Sequence, residues 1–573
     1  MSDKTCFQPK WTNEIPKPGT YRSIFKWGAP DGFKHPNDRL YRMIKETFGM
    51  TDSQFRERRS DGDQEVFCPA PVGLAADHLD RLREIVGAEN VAVDDYSRVK
   101  FSNGKTAEEA MKLRNGIVEG AADAVLHPRN REDVRDIVMY CNQHKIPVYV
   151  FGGGSSVNFG FKCDRGGVTL ALGTHMNRVL DFNEENQTAT VQPGIMGPAY
   201  ERMLNDAPKV FSARRRYTGG HFPQSFEYSS VGGWIVTLGS GQESSYYGDM
   251  YDIVLSQEYV TPAGTFKTFD FPATATGPKV NDIMKGSEGA FGVLVSATLK
   301  IFRFLPEYRQ RFAFIFPSWD SAVNAAREVS QGEFGMPSVF RISDPEETDV
   351  ALKLYGVEGT VIDRIINLRG YKPMKRCLLI GQSQGERRFA RNVKRNVKRI
   401  CRQQGGMYIT GYPVKNWEHG RYSDPYMRED LNDFGIMIDT LESAVTWGNL
   451  HRLHQGVRDF IKERPGTICM THASHFYPQG TNLYFIFIAR MDDIDEYKRF
   501  QDGIINRIEA FGGSLSHHHG VGKMIGPWME RHIGREQMDI LRALKRHFDP
   551  NNIMNPGGTL GLDAPASWRK YSG

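Results

Sequence analysis

Three adjacent histidines, His517–His519, stand near the end of this 573-residue chain, with Gly513, Gly520 and Gly522 around them. The glycines favour a tight loop over a helix or a buried strand. Because imidazole titrates near neutral pH, such a triplet can take up and return protons during catalysis. Metal binding is the competing interpretation, but neighbours on one loop seldom all face one ion, and no nearby carboxylate or cysteine completes a ligand set. We therefore expect no metal.

A second group of residues could hold phosphate. The loop Gly152–Ser156 follows an apolar run, and its three glycines let backbone N–H groups approach an anion closely. It matches neither GxGxxG nor a Walker loop, so neither a nicotinamide Rossmann site nor a P-loop is predicted. Three further segments, 224–234, 237–241 and 286–292, are also rich in small and hydroxyl residues. Together the four loops suit a long ligand with two phosphates, a ribityl chain and adenine.

The elements that carry these loops mix strand and helix patterns. From Ala121 the sequence predicts a strand, an amphipathic helix, and a second strand, Val148 to Phe151, that runs into the glycines. Similar elements continue to about residue 305 and again from 306 to 515, which indicates an α/β or α+β fold. We expect a helical or irregular lead (1–118), two domains (119–305 and 306–515), and the histidine loop with a helical end (516–573).

The motifs resemble a known family. Residues 119–305, with GGGSSV, SFEYSSVGGW and GSEGAFG, look like the FAD-binding domain of the vanillyl-alcohol oxidase and p-cresol methylhydroxylase (PCMH) flavoprotein superfamily. The remainder, with GGSLSHHHGVGK, is more specifically similar to the alkyldihydroxyacetonephosphate synthase branch. The resemblance implies an α+β protein. Its PCMH-type FAD-binding domain would have two subdomains, and its α+β cap domain would hold an antiparallel sheet.

The resemblance also implies the cofactor and its contacts. FAD would be bound without a covalent tether. The matching positions that contact FAD in the family are Val150, Phe151, Gly152, Gly153, Gly154, Ser155, Ser156, Gln224, Ser225, Phe226, Glu227, Tyr228, Ser229, Ser230, Thr237, Leu238, Gly239, Ser240, Glu288, Gly289, Ala290, Phe291, Gly292, Val293 and Leu294.

Tyr484 begins the apolar run YFIFIA, where composition alone favours a core aromatic. The family's essential tyrosine matches Tyr484, however, and its histidine triplet matches His517, His518 and His519. The pKa of a phenol, normally near ~10, falls when a cation or imidazolium lies close to it. The resemblance therefore implies a proton relay formed by Tyr484 and the triplet.

Two arginines match functional positions of the family, Arg341 near the flavin and Arg428 near the substrate phosphate. A planar guanidinium binds phosphate or carboxylate at two points, which suits an anionic substrate. For Arg428 a surface salt bridge is the alternative, because Glu429 and Asp430 follow it directly.

The main function that we expect is an FAD-dependent oxidoreductase that removes a hydride, through flavin N5, from a hydroxylated, anionic small substrate. The alternative is a transferase of the alkylglycerone-phosphate synthase type, which exchanges acyl for alkyl in ether-lipid synthesis. A flavin-free binding protein is disfavoured because the FAD loops and the catalytic residues are all present. The sequence departs from the synthases at 478–482, where PQGTN replaces Asp-Ala-Gly-Ala-Cys, and at the tail WRKYSG, which is not a Ser-Lys-Leu peroxisomal address. The sequence identifies neither the substrate nor the electron acceptor.

Composition limits the cellular compartment and the binding partners that we expect. The net charge of +5 is mild, and seven scattered cysteines without a CxxC pair predict neither disulfides nor a zinc site, which fits a reducing cytoplasm. No run is long enough to span a membrane, and no signal peptide is visible.

A basic helix, 385–403, could touch an anionic membrane, but its apolar stripe is narrow and lacks interleaved aromatics. A solvated helix is therefore expected, and nucleic acid is not. Family analogy implies a homodimer.

Overall fold

The computed structural model describes residues 7–59, 62–565 and 567; Cys6 and the WRKYSG tail lie outside them. The helices are α1 (Tyr21–Phe25), α2 (Asp38–Thr47), α3 (Ala76–Val86), α4 (Asp95–Lys100), α5 (Ala107–Arg114), α6 (Arg131–His144), α7 (Gly197–Asn205), α8 (Ala207–Val210), α9 (Val231–Val236), α10 (Ser244–Tyr247), α11 (Met250–Ile253), α12 (Trp319–Ser330), α13 (Pro345–Leu354), α14 (Val361–Leu368), α15 (Arg387–Gln403), α16 (Tyr412–Gly420), α17 (Met427–Asn432), α18 (Leu450–Glu463), α19 (Ile494–Ala510), α20 (Met529–Ile533) and α21 (Arg535–Phe548).

The strands are β1 (Val91–Ala92), β2 (Ala124–Leu126), β3 (Val148–Phe151), β4 (Val168–Ala171), β5 (Val179–Asn183), β6 (Thr188–Val191), β7 (Tyr217–Thr218), β8 (Val254–Thr261), β9 (Gly264–Lys267), β10 (Val293–Lys300), β11 (Phe302–Arg303), β12 (Gln310–Phe316), β13 (Val339–Ser343), β14 (Cys377–Ser383), β15 (Met407–Tyr408), β16 (Ile436–Thr446), β17 (Thr467–Tyr477) and β18 (Gly480–Arg490).

Two sheets form the first half of the chain. One is four-stranded, in the order β1-β2-β4-β3, with β2, β4 and β3 parallel. The other is five-stranded and antiparallel, in the order β5-β6-β10-β8-β9. One face of α6 is buried at Val134, Ile137, Val138 and Cys141, and one apolar core joins this face to strands of both sheets. The two-subdomain organisation expected from the sequence is confirmed.

One seven-stranded antiparallel sheet organises the second half, in the order β15-β12-β14-β13-β17-β18-β16. Its largest core combines apolar side chains of the sheet with those of α12, α15, α18 and α19. The strands β16, β17 and β18 are each 11 residues long and lie side by side. This antiparallel cap sheet confirms the α+β expectation.

The N-terminal lead is integrated into both halves. Its strand β1 pairs with β2 of the first sheet. Buried guanidinium groups of Arg22 and Arg114 both bind the carboxylate of Asp433, just after α17, and Arg114 also binds Glu429. Because removing one partner of such a buried pair leaves an uncompensated charge, these contacts specify where the lead lies.

The basic helix α15 packs as the sequence predicts. Val393, Val397 and Ile400 are buried against the cap core, and Phe389 is partly buried there. Among the described residues, none of the eight lysines and arginines of α15 forms an ion pair with a carboxylate. The six described cysteines are free, and no described helix is long and apolar enough to cross a membrane.

Candidate active site

The glycine loop after β3 lies directly against the second small-residue loop. A Cβ atom on Gly153 would lie 2.2 Å from the carbonyl oxygen of Tyr228 and 2.7 Å from Cα of Ser229. A Cβ atom on Gly152 would lie 2.3 Å from Oγ of Ser230, a hydroxyl that caps α9 by accepting from Gly233 N–H. The absence of side chains at these glycines thus permits two backbone segments to touch.

The donors of these loops fit a dinucleotide. From Gly152 to Val157, no backbone N–H donates a hydrogen bond within the part of the chain that the structure describes. The buried hydroxyls of Tyr228 and Ser287 and both ring nitrogens of His221 also lack partners there. Buried polar groups are normally satisfied, so these groups are suited to a polar ligand such as FAD. Among them, His221 was not found by sequence analysis.

Several expected FAD-contact residues direct their side chains elsewhere. The carboxylate of Glu288 accepts hydrogen bonds from the N–H groups of Val521 and Gly522, at 2.6 and 2.7 Å, so it clamps the segment after the histidine triplet. Glu227 accepts from the hydroxyl of Tyr426. The side chain of Gln224 donates to the carbonyl of Arg421. At these positions the expected contact with FAD would have to come from the backbone.

The remaining expected FAD-contact residues divide by location. Phe226, Ala290, Phe291, Val293 and Leu294 are buried in the apolar cores. Val150 and Phe151 end β3, and the others lie on the four loops: Gly154, Ser155, Ser156, Ser225, Ser229, Ser230, Thr237, Leu238, Gly239, Ser240, Gly289 and Gly292. The loops converge through backbone contacts, because Glu288 N–H donates to the carbonyl of Val236 and Gly286 N–H to that of Ile235.

Tyr484 lies in a row of polar side chains across the cap sheet. In register it is paired with His472 on β17 and with Glu442 on β16. Its ring is stacked against that of His472, with centroids 4.9 Å apart, and faces that of His518 at 6.1 Å. Its hydroxyl lies 3.3 Å from Nε2 of His519 and 3.2 Å from Oγ1 of Thr440. The phenol is therefore held between imidazoles.

The expected acidification of Tyr484 is not what the structure shows. Burial raises the pKa of its phenol, and the carboxylates of Glu442 and Asp439 raise it further, while Arg341 opposes them only in part. Burial also lowers the pKa of His519, which keeps that imidazole neutral. Tyr484 is therefore a neutral hydrogen-bond donor at rest. Proton transfer from it requires an imidazole that accepts the proton at the same time.

Glu442 organises the histidine loop and was missed by sequence analysis. Its carboxylate accepts hydrogen bonds from the backbone N–H groups of His517, His518 and His519 at 2.7, 3.1 and 3.0 Å, and from the hydroxyl of Ser516 at 2.7 Å. The expectation that no carboxylate lies near the triplet is therefore wrong. Glu442, His517 and His518 place ligand atoms close enough together for a metal ion. The carboxylate of Glu442, however, already accepts hydrogen bonds from four donors.

Further histidines join the site through a bulge in β17. The pairing register of β17 and β18 shifts between Ser474 and Phe476, and His475 adopts φ of 55° at that point. A bulge re-aims side chains, so His475, three positions after His472, reaches the triplet. The ring of His475 lies 5.1 Å from that of His517 and 4.9 Å from that of His518. Its Nδ1 pairs with Oγ of Ser244 at 2.7 Å.

Arg341 lies in the same network. Its guanidinium donates to Glu347 at 2.6 Å and contacts Nδ1 of His472 at 3.2 Å. Burial raises the pKa of Glu347, but His472 and Arg341 outweigh it and hold that pKa at about 2. Because His472 stacks on Tyr484, Arg341 acts on the phenol through one intervening ring.

Arg428 is buried, with 7 % exposure, so the surface salt-bridge alternative is wrong. Its guanidinium donates to the carbonyls of Lys105 and Thr106 at 2.7 and 3.3 Å, and its buried Nε has no partner among the described residues. Its acidic neighbours pair elsewhere, Glu429 with Arg114 and Asp430 with His35.

The N-terminal lead packs against the side of the site where Arg428 lies. The guanidinium carbon of Arg428 lies 5.9 Å from the ring centroid of Trp27, and Trp27 packs edge-on against Tyr228 at 5.1 Å. Burial raises the pKa of Tyr228 well above its ordinary value, and the charge of Arg428 opposes that effect. Sequence analysis found no chemistry in the lead. Its contribution depends on contacts that no local pattern reveals.

Two family models match the chain. The FAD binding domain model matches residues 122–270, and the model for FAD linked oxidases, C-terminal domain, matches residues 305–559. Together they cover three of the four loops, the two arginines, Tyr484 and the histidine triplet. The fourth loop, 286–292, lies between the two matched regions.

Relatives agree with the models. An alkyldihydroxyacetonephosphate synthase of Dictyostelium discoideum is 31% identical over 483 residues, 81% of this chain and 77% of that protein. A solved alkyldihydroxyacetonephosphate synthase structure is 26% identical, covers 94% of this chain and 99% of its own, and superposes with a TM-score of 0.79. A structure of p-cresol methylhydroxylase with substrate bound is 18% identical, covers 86% of this chain and 98% of its own, and has a TM-score of 0.62. The last likeness is one of fold.

Proposed function

This chain belongs to the FAD-linked oxidase family, is an enzyme of that superfamily and binds FAD, and from that premise we propose that it is a transferase of the alkyldihydroxyacetonephosphate synthase kind. In the proposed reaction the bond between a carbon of the ketone phosphate and the ester oxygen of its acyl group breaks, and the oxygen of a long-chain alcohol forms the new bond to that carbon. The acyl group leaves with its ester oxygen as a fatty acid, which takes up the proton that the alcohol loses. No net oxidation takes place.

The observation that carries this proposal is the placement of Tyr484 between neutral imidazoles, with its hydroxyl 3.3 Å from Nε2 of His519. A transferase of this kind must remove a proton and later return one, and a phenol paired with an imidazole can do both. FAD, when bound, supplies an electron-accepting ring. The identity of 31% to a synthase over most of the chain supports the same reaction.

Arg428 is the candidate anion anchor. Its buried Nε is free of protein partners in the described structure, and its acidic neighbours are engaged elsewhere. A buried guanidinium with spare donor capacity suits a phosphate. Two of its donors are engaged by carbonyls, so the guanidinium is held rigid for that purpose.

An oxidoreductase acting on a hydroxylated anion is the second candidate. The observation in its favour is the segment 478–482, where this chain departs from the synthase pattern just before Tyr484. In this structure the segment forms the β17–β18 turn and the start of β18, and Asn482 is fully buried there. Because this segment adjoins the site, its change can alter the substrate.

One experiment separates the two candidates. The purified holoenzyme is incubated without oxygen with an acyl-glycerone phosphate and an isotopically labelled long-chain alcohol, and in parallel with hydroxy acids. A transferase incorporates the label into an ether product in an amount that exceeds the amount of flavin, and the flavin is not reduced at the end. Lasting flavin reduction by a hydroxy acid, without label incorporation, would favour the oxidoreductase and contradict the transferase.

A further inference from the structure

The carboxylate of Glu442 is enclosed by one short loop. All four of its hydrogen-bond donors lie between Ser516 and His519, and three of them are consecutive backbone N–H groups. The residue is 3 % exposed. Consecutive N–H groups that converge on one anion form a concave backbone receptor, which here is filled by a side chain from a neighbouring strand.

This arrangement fixes the distance between the loop and Tyr484. Glu442 on β16 is the register partner of Tyr484 on β18, so the loop is anchored one strand away from the phenol. The Nε2 atom of His519 consequently lies 3.3 Å from the phenol oxygen. On the far side of the triplet, Glu288 binds the N–H groups of Val521 and Gly522. Two carboxylates therefore clamp one loop.

The carboxylates of Glu442 and Glu288 differ in their electrostatic effect on the histidine loop. Burial lowers the pKa of His519, and the charges of Glu442 and Asp439 oppose that effect. The other titratable groups that face His519 are Tyr484 on β18 and His517 and His518 on its own loop. The carboxylate of Glu442 also lies within 4.0 Å of Nδ1 of His519. Glu288, in contrast, has a pKa raised by burial to about 7, and no imidazole of the described residues is paired with it.

We propose that Glu442 is a positioning residue of the Tyr484–His519 unit. Its carboxylate holds the backbone of His517–His519 so that His519 reaches the phenol, and its negative charge stabilises the imidazolium that forms when His519 accepts a proton. The phenol proton would move from Oη of Tyr484 to Nε2 of His519 and back, with no other bond changed. This inference rests on the proposed proton-handling function of that unit.

The test compares holoenzyme variants Glu442→Gln, Glu442→Asp and, as the matched control, Glu288→Gln. Glutamine removes the charge and one of the two acceptor oxygens. Aspartate keeps the charge but is one methylene shorter. The imidazole pKa values are measured by NMR with labelled histidine, together with FAD content, kcat and KM across pH.

For Glu442→Gln we expect bound FAD, a pKa of His519 lowered by about one unit or more, and kcat reduced about 10–100-fold, the range typical when a group that orients active-site residues is removed. The limb of the pH profile that reports His519 should move with its pKa, whereas KM should change less than kcat. Glu288→Gln should leave the pKa of His519 unchanged.

An unchanged pKa of His519 in folded Glu442→Gln would overturn the proposal, as would an equal shift in Glu288→Gln. If Glu442→Gln does not fold, Glu442→Asp decides: reduced kcat with a retained His519 pKa supports the proposal, and wild-type kcat contradicts it. The NMR measurement needs no turnover. It therefore tests Glu442 even if the proposed reaction is wrong.

Discussion

Tyr484 on β18 and Glu442 on β16 are direct cross-strand partners. The carboxylate of Glu442 binds the backbone of the histidine loop, and His519 of that loop contacts the hydroxyl of Tyr484. The proton-handling unit is thus specified by strand register. A shift of one residue in this pairing would turn every side chain of one strand to the opposite face.

The glycine loop gives the first prediction. Gly153→Val should yield largely apoprotein, because a side chain at 153 meets the backbone of Tyr228 and Ser229 and separates the two loops. Gly233→Ala is the control, since its Cβ would meet nothing closer than Oγ of Ser230 at 3.4 Å. The measurement is the flavin absorbance per chain after gel filtration. Full flavin occupancy in Gly153→Val would refute the cradle assignment.

The second prediction concerns Arg428. Arg428→Met should weaken capture of the anionic substrate by roughly 2–5 kcal/mol, about 30-fold or more in KM, because a buried charged partner is lost. Some loss of stability should accompany it, since the carbonyls of Lys105 and Thr106 lose their donors. Arg428→Lys should restore only part of the affinity, because an ammonium cannot bind at two points. An unchanged KM would leave Arg428 a purely structural residue.

Buried histidines predict how stability depends on pH. Burial lowers the pKa of His475 and His518 well below the ordinary value, so below about pH 6.5 these two imidazoles bind more protons in the unfolded chain than in the folded one. Stability should therefore fall as the pH falls through that value. We expect the Tm to drop between about pH 7 and pH 5, and His518→Gln to flatten this dependence. His547→Gln, at an exposed position, is the control. A wild-type slope in His518→Gln would contradict this prediction.

The basic helix α15 should remain solvated. Its apolar stripe is packed into the cap core, so mainly charged and polar side chains are left to meet a membrane. Flotation with anionic liposomes at physiological salt should leave the protein in the soluble fraction. If the protein floats, and reversal of charge at Lys394, Lys398 and Arg402 abolishes flotation, the helix is a membrane contact after all.

Local patterns in the sequence predicted part of this structure. The glycine loop after β3 and the helices α6 and α15 follow from periodicity and composition, which depend on neighbouring residues alone. The strands β16 and β17 were not predicted, because they carry polar residues such as Glu442 and His472 where a buried strand is expected to be apolar.

The candidate site was predictable only in part for the same reason. The histidine triplet stands out by its spacing, and Tyr484 was identified by family resemblance. Glu442 joins the triplet only through strand pairing, and His475 only through the bulge next to Ser474. Neither contact leaves a local signal in the sequence. The one available hint was the pair of histidines in THASHFY, whose spacing of three positions does not fit the strand period of two.

The central claim is that Tyr484 and the histidine loop act as one proton-handling unit, and Tyr484→Phe tests it most directly. The ring is kept, so FAD content and Tm should change little, while label incorporation into the ether product should fall by about 10²–10⁴-fold. Adding His519→Gln to this variant should lower the rate by much less than a second factor of that size, because members of one unit are non-additive. If Tyr484→Phe retains near-normal turnover with folded, flavin-loaded protein, the account is contradicted and Tyr484 is a core aromatic.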